Sequence, residues 1–217
     1  MRVAFFFICL FLLTASFAQQ AITSKELLLA PDDQAWQEKA PDEFEVRITS
    51  TKGDFVIKVK TEWAPIGATR FYHLVNNGFF DDSRFFRVKK GFIAQFGIPG
   101  NPEVTANWVN QELQDDPVVQ SNLRGFLAYA MTGPNTRTTQ IYINLQDNAR
   151  LDEQGFAPFG EVIEGMDIVD ALYSEYDESA GGGMRLGKQQ QMLTQGNAHL
   201  DKNFPKLDKL IKAEIVE

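Results

Sequence analysis

Arg87 and Gln95 are the two residues whose types and spacing carry the clearest chemistry in this sequence. From residue 85 to residue 97 the side chains alternate in character as the two faces of β-strands do, and Gly91 permits a bend between two such strands. One strand pair would therefore present a permanent cation, an amide and large apolar groups close together. That mixture is unusual in a protein core and is typical of a binding pocket.

A second stretch, residues 126–144, contains a Gly-Pro-Asn-Thr turn at residues 133–136, followed by Gln140 and Tyr142. Taken together, Arg-x4-Phe-Ile-x-Gln and Gly-Pro-Asn-Thr-x3-Gln-x-Tyr resemble the cyclophilin family of peptidyl-prolyl isomerases. The resemblance runs from about Phe44 to the C-terminus, and its two motifs are long and spaced as the family spaces them.

The elements around these motifs are short. Alternation predicts a β-hairpin over residues 44–59, apolar positions at helical spacing predict helices over 64–77 and 166–173, and residues 207–216 are predicted to form a closing strand. This pattern alone fits either a sandwich or a barrel. The resemblance implies an all-β fold with two helices: a closed eight-stranded antiparallel β-barrel capped by two α-helices.

The resemblance also implies a site. Arg87 and Gln95 are the expected catalytic residues. The expected substrate-binding residues are Phe92, Ile93, Ala130, Met131, Gln140, Tyr142, Leu151 and Phe156. From the residues alone, a surface salt bridge for Arg87, core packing for the apolar residues and a structural role for the glutamines remain open alternatives.

Three positions depart from the pattern of well-known family members. Met131 replaces an Asn whose contact to the peptide is through the main chain, and Phe156 replaces a His while keeping an apolar ring. Arg150 replaces a Trp whose indole donates to cyclosporin, so drug binding is more affected than catalysis.

The implied reaction needs little chemical machinery. An X-Pro bond isomerises over tens to hundreds of seconds because amide resonance imposes a barrier of roughly 18–20 kcal/mol. A guanidinium beside the proline ring could donate toward the prolyl nitrogen as it pyramidalises and hold the substrate carbonyl. No cofactor and no metal are expected, and proline-containing polypeptides are the expected partners. The alternatives are a binding module without turnover and, less favoured, a barrel holding a small apolar ligand that the many Phe residues would exclude.

The beginning of the chain predicts export. Residues 1–18 have the basic start, short apolar core and small residues of a signal peptide, with cleavage expected before Gln19. A periplasmic or secreted protein is expected, with the endoplasmic reticulum lumen less supported, and with membrane contact only through the signal. Residues 19–41 are interpreted as an exposed lead-in and residues 42–217 as one domain, which we expect to be a monomer.

Composition narrows the function classes. The net charge is −8, without a dense basic cluster, so no nucleic-acid partner is expected. The single cysteine, Cys9, lies in the signal peptide, and two histidines without a carboxylate cluster do not predict a metal site.

Three further expectations concern local structure: a loop over residues 98–121, a surface or partly packed His73, and a mobile surface loop over residues 177–187.

Overall fold

The computed structural model describes residues 23–181 and 188–216. Residues 1–22, which include the predicted signal peptide, residues 182–187 and Glu217 lie outside the described residues. Within the described residues, nine strand segments form one sheet in which every strand pair is antiparallel. The strands are β1 (Glu43–Ser50), β2 (Gly53–Lys60), β3 (Ser83–Arg84), β4 (Arg87–Lys89), β5 (Ile93–Phe96), β6 (Phe126–Tyr129), β7 (Ile141–Asn144), β8 (Pro158–Glu164) and β9 (Lys209–Val216).

The sheet closes through an interrupted strand. Its order is β3-β9-β1-β2-β8-β6-β7-β5-β4, so β3 and β4 stand at opposite ends. Only Phe85 and Phe86 separate these two segments in the chain, and the Phe85 amide donates to the Asp208 carbonyl at 3.0 Å beside β9. Counted as one broken strand, β3 and β4 complete the eight-stranded antiparallel barrel that the family resemblance implies.

Two helices were predicted, and both are present. The first, α2 (Pro65–Asn76), begins with Pro65, and its first amides are capped from a distant loop, since Ile66 N and Gly67 N donate to the Asp116 carboxylate at 2.9 Å. The second, α4 (Met166–Asp170), is shorter than its predicted range. Four more short helices are α1 (Ser24–Leu28), α3 (Pro102–Trp108), α5 (Gln190–Gln195) and α6 (Asn197–Asn203).

The barrel interior is filled by aromatic and branched side chains. Phe55, Phe85, Phe96 and Phe159 are each at most 1% exposed and belong to one continuous apolar cluster with neighbouring Val, Ile and Leu residues. This packing agrees with the expectation that Phe side chains fill the barrel.

The lead-in was predicted to be exposed; more than half of its described residues, from Thr23, are exposed, but Leu27, Trp36 and Ala40 are buried. Trp36 is buried edge-on against Trp108 of α3, with ring centroids 4.8 Å apart, and its indole donates to the Ala30 carbonyl. His73 is buried beneath this segment, where Nε2 donates to the Glu38 carbonyl at 2.5 Å. The sequence pattern did not predict that this segment packs against the domain. Two residues, Leu27 and Trp36, make most of the contact, so the apolar periodicity of the segment is weak.

Two predicted loops also contain more structure than expected. Residues 98–121 include α3, which Asn101 caps by accepting from the Glu103 amide at 2.9 Å. The described chain between α4 and β9, residues 171–181 and 188–208, forms the connecting segment. It packs its own apolar cluster, including Met192 and Leu200, against Phe86 and Ile98 of the barrel.

The described part of the predicted mobile loop, residues 177–181, is therefore docked and not free on the surface; Ala180 is 1% exposed. Within residues 23–181 and 188–216, none of the helices combines the length and apolar character that crossing a bilayer would require.

Candidate active site

A single cross-strand row on the outer face of the barrel brings the predicted catalytic residues together. Arg87 on β4 lies opposite Gln95 on β5, Gln95 opposite Tyr142 on β7, and Tyr142 opposite Ala128 on β6. Their sequence neighbours Val88, Ala94, Phe96, Ile141 and Ile143 point into the barrel core. The alternation read from the sequence holds within β4 and β5 and separates the site from the core, whereas Phe85, expected on the same face as Arg87, lies in the barrel core.

The Arg87 guanidinium is held at both terminal nitrogens. Nη1 donates to Gln95 Oε1 at 3.1 Å, and Nη2 donates to Glu178 Oε1 at 2.6 Å. The Arg87 side chain is 16% exposed, and its Nε has no hydrogen-bond partner among the described residues. The hydrogen bond from Arg87 lowers the pKa of Glu178 against the opposing effect of partial burial, so this carboxylate is charged at neutral pH.

Behind Arg87 the amides form a chain. Gln95 Nε2 donates to Gln140 Oε1 at 2.9 Å, and Gln140 Nε2 donates to Gln189 Oε1 at 3.0 Å. Gln189 Nε2 in turn lies 3.3 Å from the Gly181 carbonyl. Gln95 and Gln140 were predicted to belong to the site, whereas Gln189 and Glu178 were not.

An apolar slot lies beside the guanidinium. Its floor is a small cluster separate from the barrel core: Ile93, Ala128, Tyr142 and Leu151 are buried, while Phe92, Ala130 and Phe156 are partly exposed around them. The Arg87 Cζ lies 5.6 Å from the centre of the Phe92 ring, and the Tyr142 and Phe156 rings meet edge-on at 5.8 Å. The predicted apolar residues are thus brought together against Arg87.

The two substituted positions Met131 and Arg150 lie at the margin of this slot. The end of the Met131 side chain lies close to Gly155, the neighbour of Phe156: a Cβ added at Gly155 would be 3.4 Å from Met131 Cε. Arg150 is exposed, and its Cζ lies 5.1 Å from the centre of the Phe92 ring, within cation–π range. Two arginines therefore flank one phenylalanine.

A buried polar network holds the slot floor, and the sequence reasoning missed its central residue, Asn122. The Tyr142 hydroxyl, whose pKa burial raises well above its ordinary value, donates to Asn122 Oδ1 at 2.8 Å. Asn122 Nδ2 donates to Asp152 Oδ1 at 2.8 Å and to the Phe156 carbonyl at 2.9 Å. Burial acts to raise the pKa of Asp152, but hydrogen bonds from Asn122 and Ser121 outweigh it and lower the pKa. Asn122 follows no strand or helix pattern that would have identified it.

The Gly-Pro-Asn-Thr turn anchors the long loop next to the site. Asn135, at φ 58°, and Asp115 exchange two hydrogen bonds of 2.8 Å between side chain and backbone. Arg137, which directly follows this turn, is buried and donates a hydrogen bond to the Asp116 carboxylate at 3.0 Å. The same carboxylate caps α2. This motif therefore builds the frame around the site and contributes Gln140 through the strand that follows.

The sequence profile of the cyclophilin type peptidyl-prolyl cis-trans isomerase/CLD family matches residues 44–193, most of the chain. This chain belongs to that family. A cyclophilin relative, peptidyl-prolyl cis-trans isomerase A of Dickeya dadantii, is 31% identical over 147 residues, covering 63% of this chain and 74% of the relative. Isomerase B of Escherichia coli is 33% identical over 138 residues, covering 58% and 82%.

Solved cyclophilin structures share the fold. A cyclophilin type peptidyl-prolyl cis-trans isomerase of Cryptosporidium parvum superposes with a TM-score of 0.60 at 21% identity, covering 81% of this chain and 98% of that one. The same protein in the presence of the dipeptide Ala-Pro gives a TM-score of 0.58 at 20% identity, covering 80% and 99%. At these identities the likeness establishes the cyclophilin barrel and leaves the residue roles to the geometry above.

Proposed function

We propose that this cyclophilin accelerates X-Pro isomerisation in exported polypeptides, with Arg87 as its catalytic residue and Gln95 orienting it. The family and its named relatives support peptidyl-prolyl isomerase activity. The observation that carries the residue assignment is Arg87 itself: a guanidinium fixed by Gln95 at 3.1 Å and placed beside an apolar slot on the barrel's outer face.

The proline ring would enter the slot over Ile93, Tyr142 and Leu151, with Phe92 and Phe156 at its sides. Burial of the ring supplies binding without any covalent step. The relative from Cryptosporidium parvum was solved in the presence of Ala-Pro, which is consistent with a proline-containing segment as the ligand here. Ala130 and Met131, which directly follow β6, would contact the peptide main chain beside the ring.

Arg87 would act on the substrate amide. Rotation about the C–N bond removes resonance, so the prolyl nitrogen gains a lone pair in the transition state. A guanidinium N–H aimed at that nitrogen binds the twisted amide more strongly than either planar form, which is the condition for catalysis. Guanidinium remains charged at all physiological pH values and presents several donors, so it could also hold the substrate carbonyl.

The test is an isomerisation assay with Ala-Pro and Phe-Pro peptides, comparing wild type with Arg87→Ala. We expect the variant to lose activity by a factor on the order of 10² to 10³, which corresponds to roughly 3–4 kcal/mol of transition-state stabilisation. Arg47→Ala, which removes an exposed arginine from β1, is the matched control and should retain wild-type turnover. Near-wild-type turnover of Arg87→Ala would overturn the assignment.

The same assay decides between an enzyme and a binding module. A wild-type protein that binds the peptides without accelerating their isomerisation would be a cyclophilin-like scaffold.

The proposed export is tested separately, by expressing the full chain and determining the N-terminus of the released protein. Cleavage before Gln19 supports export through residues 1–18, and a product that keeps Met1 inside the cell would contradict it.

A further inference from the structure

The connecting segment contacts the proposed catalytic machinery at two separate points. Glu178 bonds the Arg87 guanidinium, and Gln189 bonds the amide of Gln140. These are the two ends of one continuous chain of hydrogen bonds, Glu178–Arg87–Gln95–Gln140–Gln189. The first and last members come from a part of the chain that forms none of the barrel strands.

We propose that Gln189 and Glu178 are positioning residues of the isomerase, which act on the substrate only by fixing Gln140 and Arg87. This inference rests on the proposed catalytic role of Arg87. The two residues contribute differently, Gln189 through the orientation of an amide and Glu178 through the orientation of the guanidinium.

The role of Gln189 follows from the polarity of the chain. Arginine has donors only, so Gln95 must turn its carbonyl oxygen toward Arg87 and its NH₂ toward Gln140. Gln140 must then accept with its oxygen, which leaves its NH₂ to find an acceptor on the far side. Gln189 Oε1 is that acceptor at 3.0 Å, and Gln189 Nε2 donates both back to Gln140 Oε1 and onward to the Gly181 carbonyl, each at 3.3 Å.

Gln189 is 3% exposed, and Gln95 is 2% exposed, so water cannot readily replace either amide. Without Gln189, the Gln140 amide would lose the acceptor that sets its orientation. In the flipped orientation the Gln140 NH₂ would face the Gln95 NH₂, donor against donor. Gln95 would then be free to turn, and Arg87 would lose the bond that holds Nη1.

The role of Glu178 follows from the geometry of the guanidinium. Gln95 holds Nη1 and Glu178 holds Nη2, so the planar group is fixed at two corners and cannot rotate about Nε. These two bonds use two of the five N–H donors, and donors therefore remain for the prolyl nitrogen and the substrate carbonyl. Glu178 is 29% exposed on its side chain, at the outer side of the slot.

Gln189→Met tests the amide chain while keeping the side-chain volume. We expect kcat to fall about threefold to tenfold with KM changed by less than about twofold, because Gln189 does not touch the peptide. Gln190→Met, at the exposed neighbouring position, is the control and should match wild type. The melting temperature of each variant is measured so that turnover is compared among folded proteins.

A double-mutant cycle separates positioning from a merely structural effect. If Gln189 acts through Gln140, adding Gln189→Met to Gln140→Met should lower kcat no further. Additive losses in the cycle, or an unchanged kcat in Gln189→Met, would overturn the role of Gln189.

Glu178→Ala tests the other end. We expect kcat to fall about threefold to tenfold, while Glu178→Gln, whose amide oxygen can still accept from Nη2, keeps most of the activity. Glu175→Ala is the control, because Glu175 lies on the same segment but faces Lys90 at 3.7 Å and not Arg87. A rise in kcat/KM for Glu178→Ala would show that the carboxylate competes with the substrate for Arg87. An unchanged kcat would show that Arg87 keeps its orientation without Glu178. Either result overturns the role of Glu178.

Measuring Arg87→Ala in the same series keeps the two proposals apart. If Arg87→Ala is inactive while Glu178→Ala and Gln189→Met turn over like wild type, the positioning roles fail and the catalytic assignment stands. If Arg87→Ala is fully active, the catalytic assignment fails first.

Discussion

The ring of Tyr142 lies on the outer face of β7, and only 2% of the residue is exposed. It forms part of the slot floor with Ile93 and Leu151, and its hydroxyl donates to Asn122. The neighbours Ile141 and Ile143 face the barrel core instead. Tyr142 therefore contributes apolar packing to the substrate site and a hydrogen bond to the network beneath it.

Tyr142→Ala and Tyr142→Phe should separate these contributions. Removing the ring should lower the free energy of unfolding by roughly 3–5 kcal/mol and also weaken peptide binding, since the slot loses its floor. Tyr142→Phe keeps the ring and should cost about 1 kcal/mol with near-wild-type turnover. Melting curves and the isomerase assay measure both effects. Full activity in folded Tyr142→Ala would show that the proline ring binds elsewhere.

Arg150 allows a prediction about cyclosporin. Its guanidinium stands exposed 5.1 Å from the centre of the Phe92 ring, at the rim of the slot. A large, mostly N-methylated macrocycle covering this rim would desolvate the charge and find no indole donor. We expect inhibition at least about tenfold weaker than in a relative with Trp at this position, or roughly 1.4 kcal/mol.

Arg150→Trp should recover part of this affinity while leaving peptide turnover little changed, because a short peptide covers less of the rim. Arg47→Trp on β1 controls for a new exposed indole outside the site. Titration of each protein with the drug in one isomerase assay gives the comparison. Equal inhibition of wild type and Arg150→Trp would mean that the drug does not reach Arg150.

At the scale of elements, the connecting segment is attached to the barrel by polar and apolar contacts. Arg84 of β3 is 2% exposed and binds Asp201 of α6 through both Nε and Nη2, at 2.9–3.1 Å. Between α5 and α6 the backbone comes so close to the loop between β5 and α3 that a Cβ added at Gly196 would lie 2.1 Å from the Gly100 carbonyl oxygen. Attachment of this segment determines where Glu178 and Gln189 lie.

Asp201→Ala should loosen that attachment. Arg84 would keep its bonds to Asp82 and to the Ser83 carbonyl through Nη1 but lose the carboxylate that pairs with Nε and Nη2. Because Asp201 is half exposed, we expect a loss of about 1–2 kcal/mol of stability, below the cost of a fully buried pair. Lys202→Ala on the same helix is the control. Unfolding in denaturant measures the difference, and an unchanged midpoint in Asp201→Ala would contradict the anchoring role.

How far the sequence predicts these elements depends on where their partners lie. The β1–β2 hairpin follows from alternation around the turn before Gly53, and the row from Arg87 to Tyr142 follows from two spaced motifs. By contrast, α2 is capped by Asp116, which lies 49 residues from Gly67 in the chain. Glu178 lies 91 residues from Arg87, and no periodic pattern links two single side chains over such a distance. Local periodicity therefore predicts strands and faces, while contacts made by one distant polar residue remain hidden.

In the whole molecule, closing the sheet into a barrel gives it an interior face, which forms the core, and an outer face, which carries the site. Phe85 faces the interior, while Arg87, two residues on, faces the slot, at the place where the interrupted strand completes the sheet. The interior is packed with aromatic rings, and the site is built on the outside of β4, β5, β7 and β6. Changes at the site can therefore alter activity without opening the core, except where the polar network under the slot also supports the fold.

Through Asp152, the polar network under the slot makes the free energy of unfolding depend on pH. The Asp152 carboxylate accepts from the Asn122 side chain and backbone and from the Ser121 hydroxyl, and these bonds join residues 121–122 to residue 152 under the slot. The pKa of Asp152 is lowered in the folded protein. A carboxyl of this kind stabilises the fold above its ordinary pKa, and the contribution is lost as the pH falls through the lowered, folded value.

Asp152→Asn should therefore be less stable than wild type at pH 7, and the difference should shrink as the pH falls below the ordinary aspartate pKa, about 3.9. The reason is that wild type must then protonate Asp152 and weaken the bonds to Asn122 and Ser121, whereas the variant has no charge to lose. Glu153→Gln, which alters the exposed carboxyl next to Asp152 in the 3-10 helix Ala149–Gln154, is the control. Denaturant melts at a series of pH values measure the gap. A gap that stays constant from neutral pH into acid would show that the charge on Asp152 does not hold the floor of the slot together.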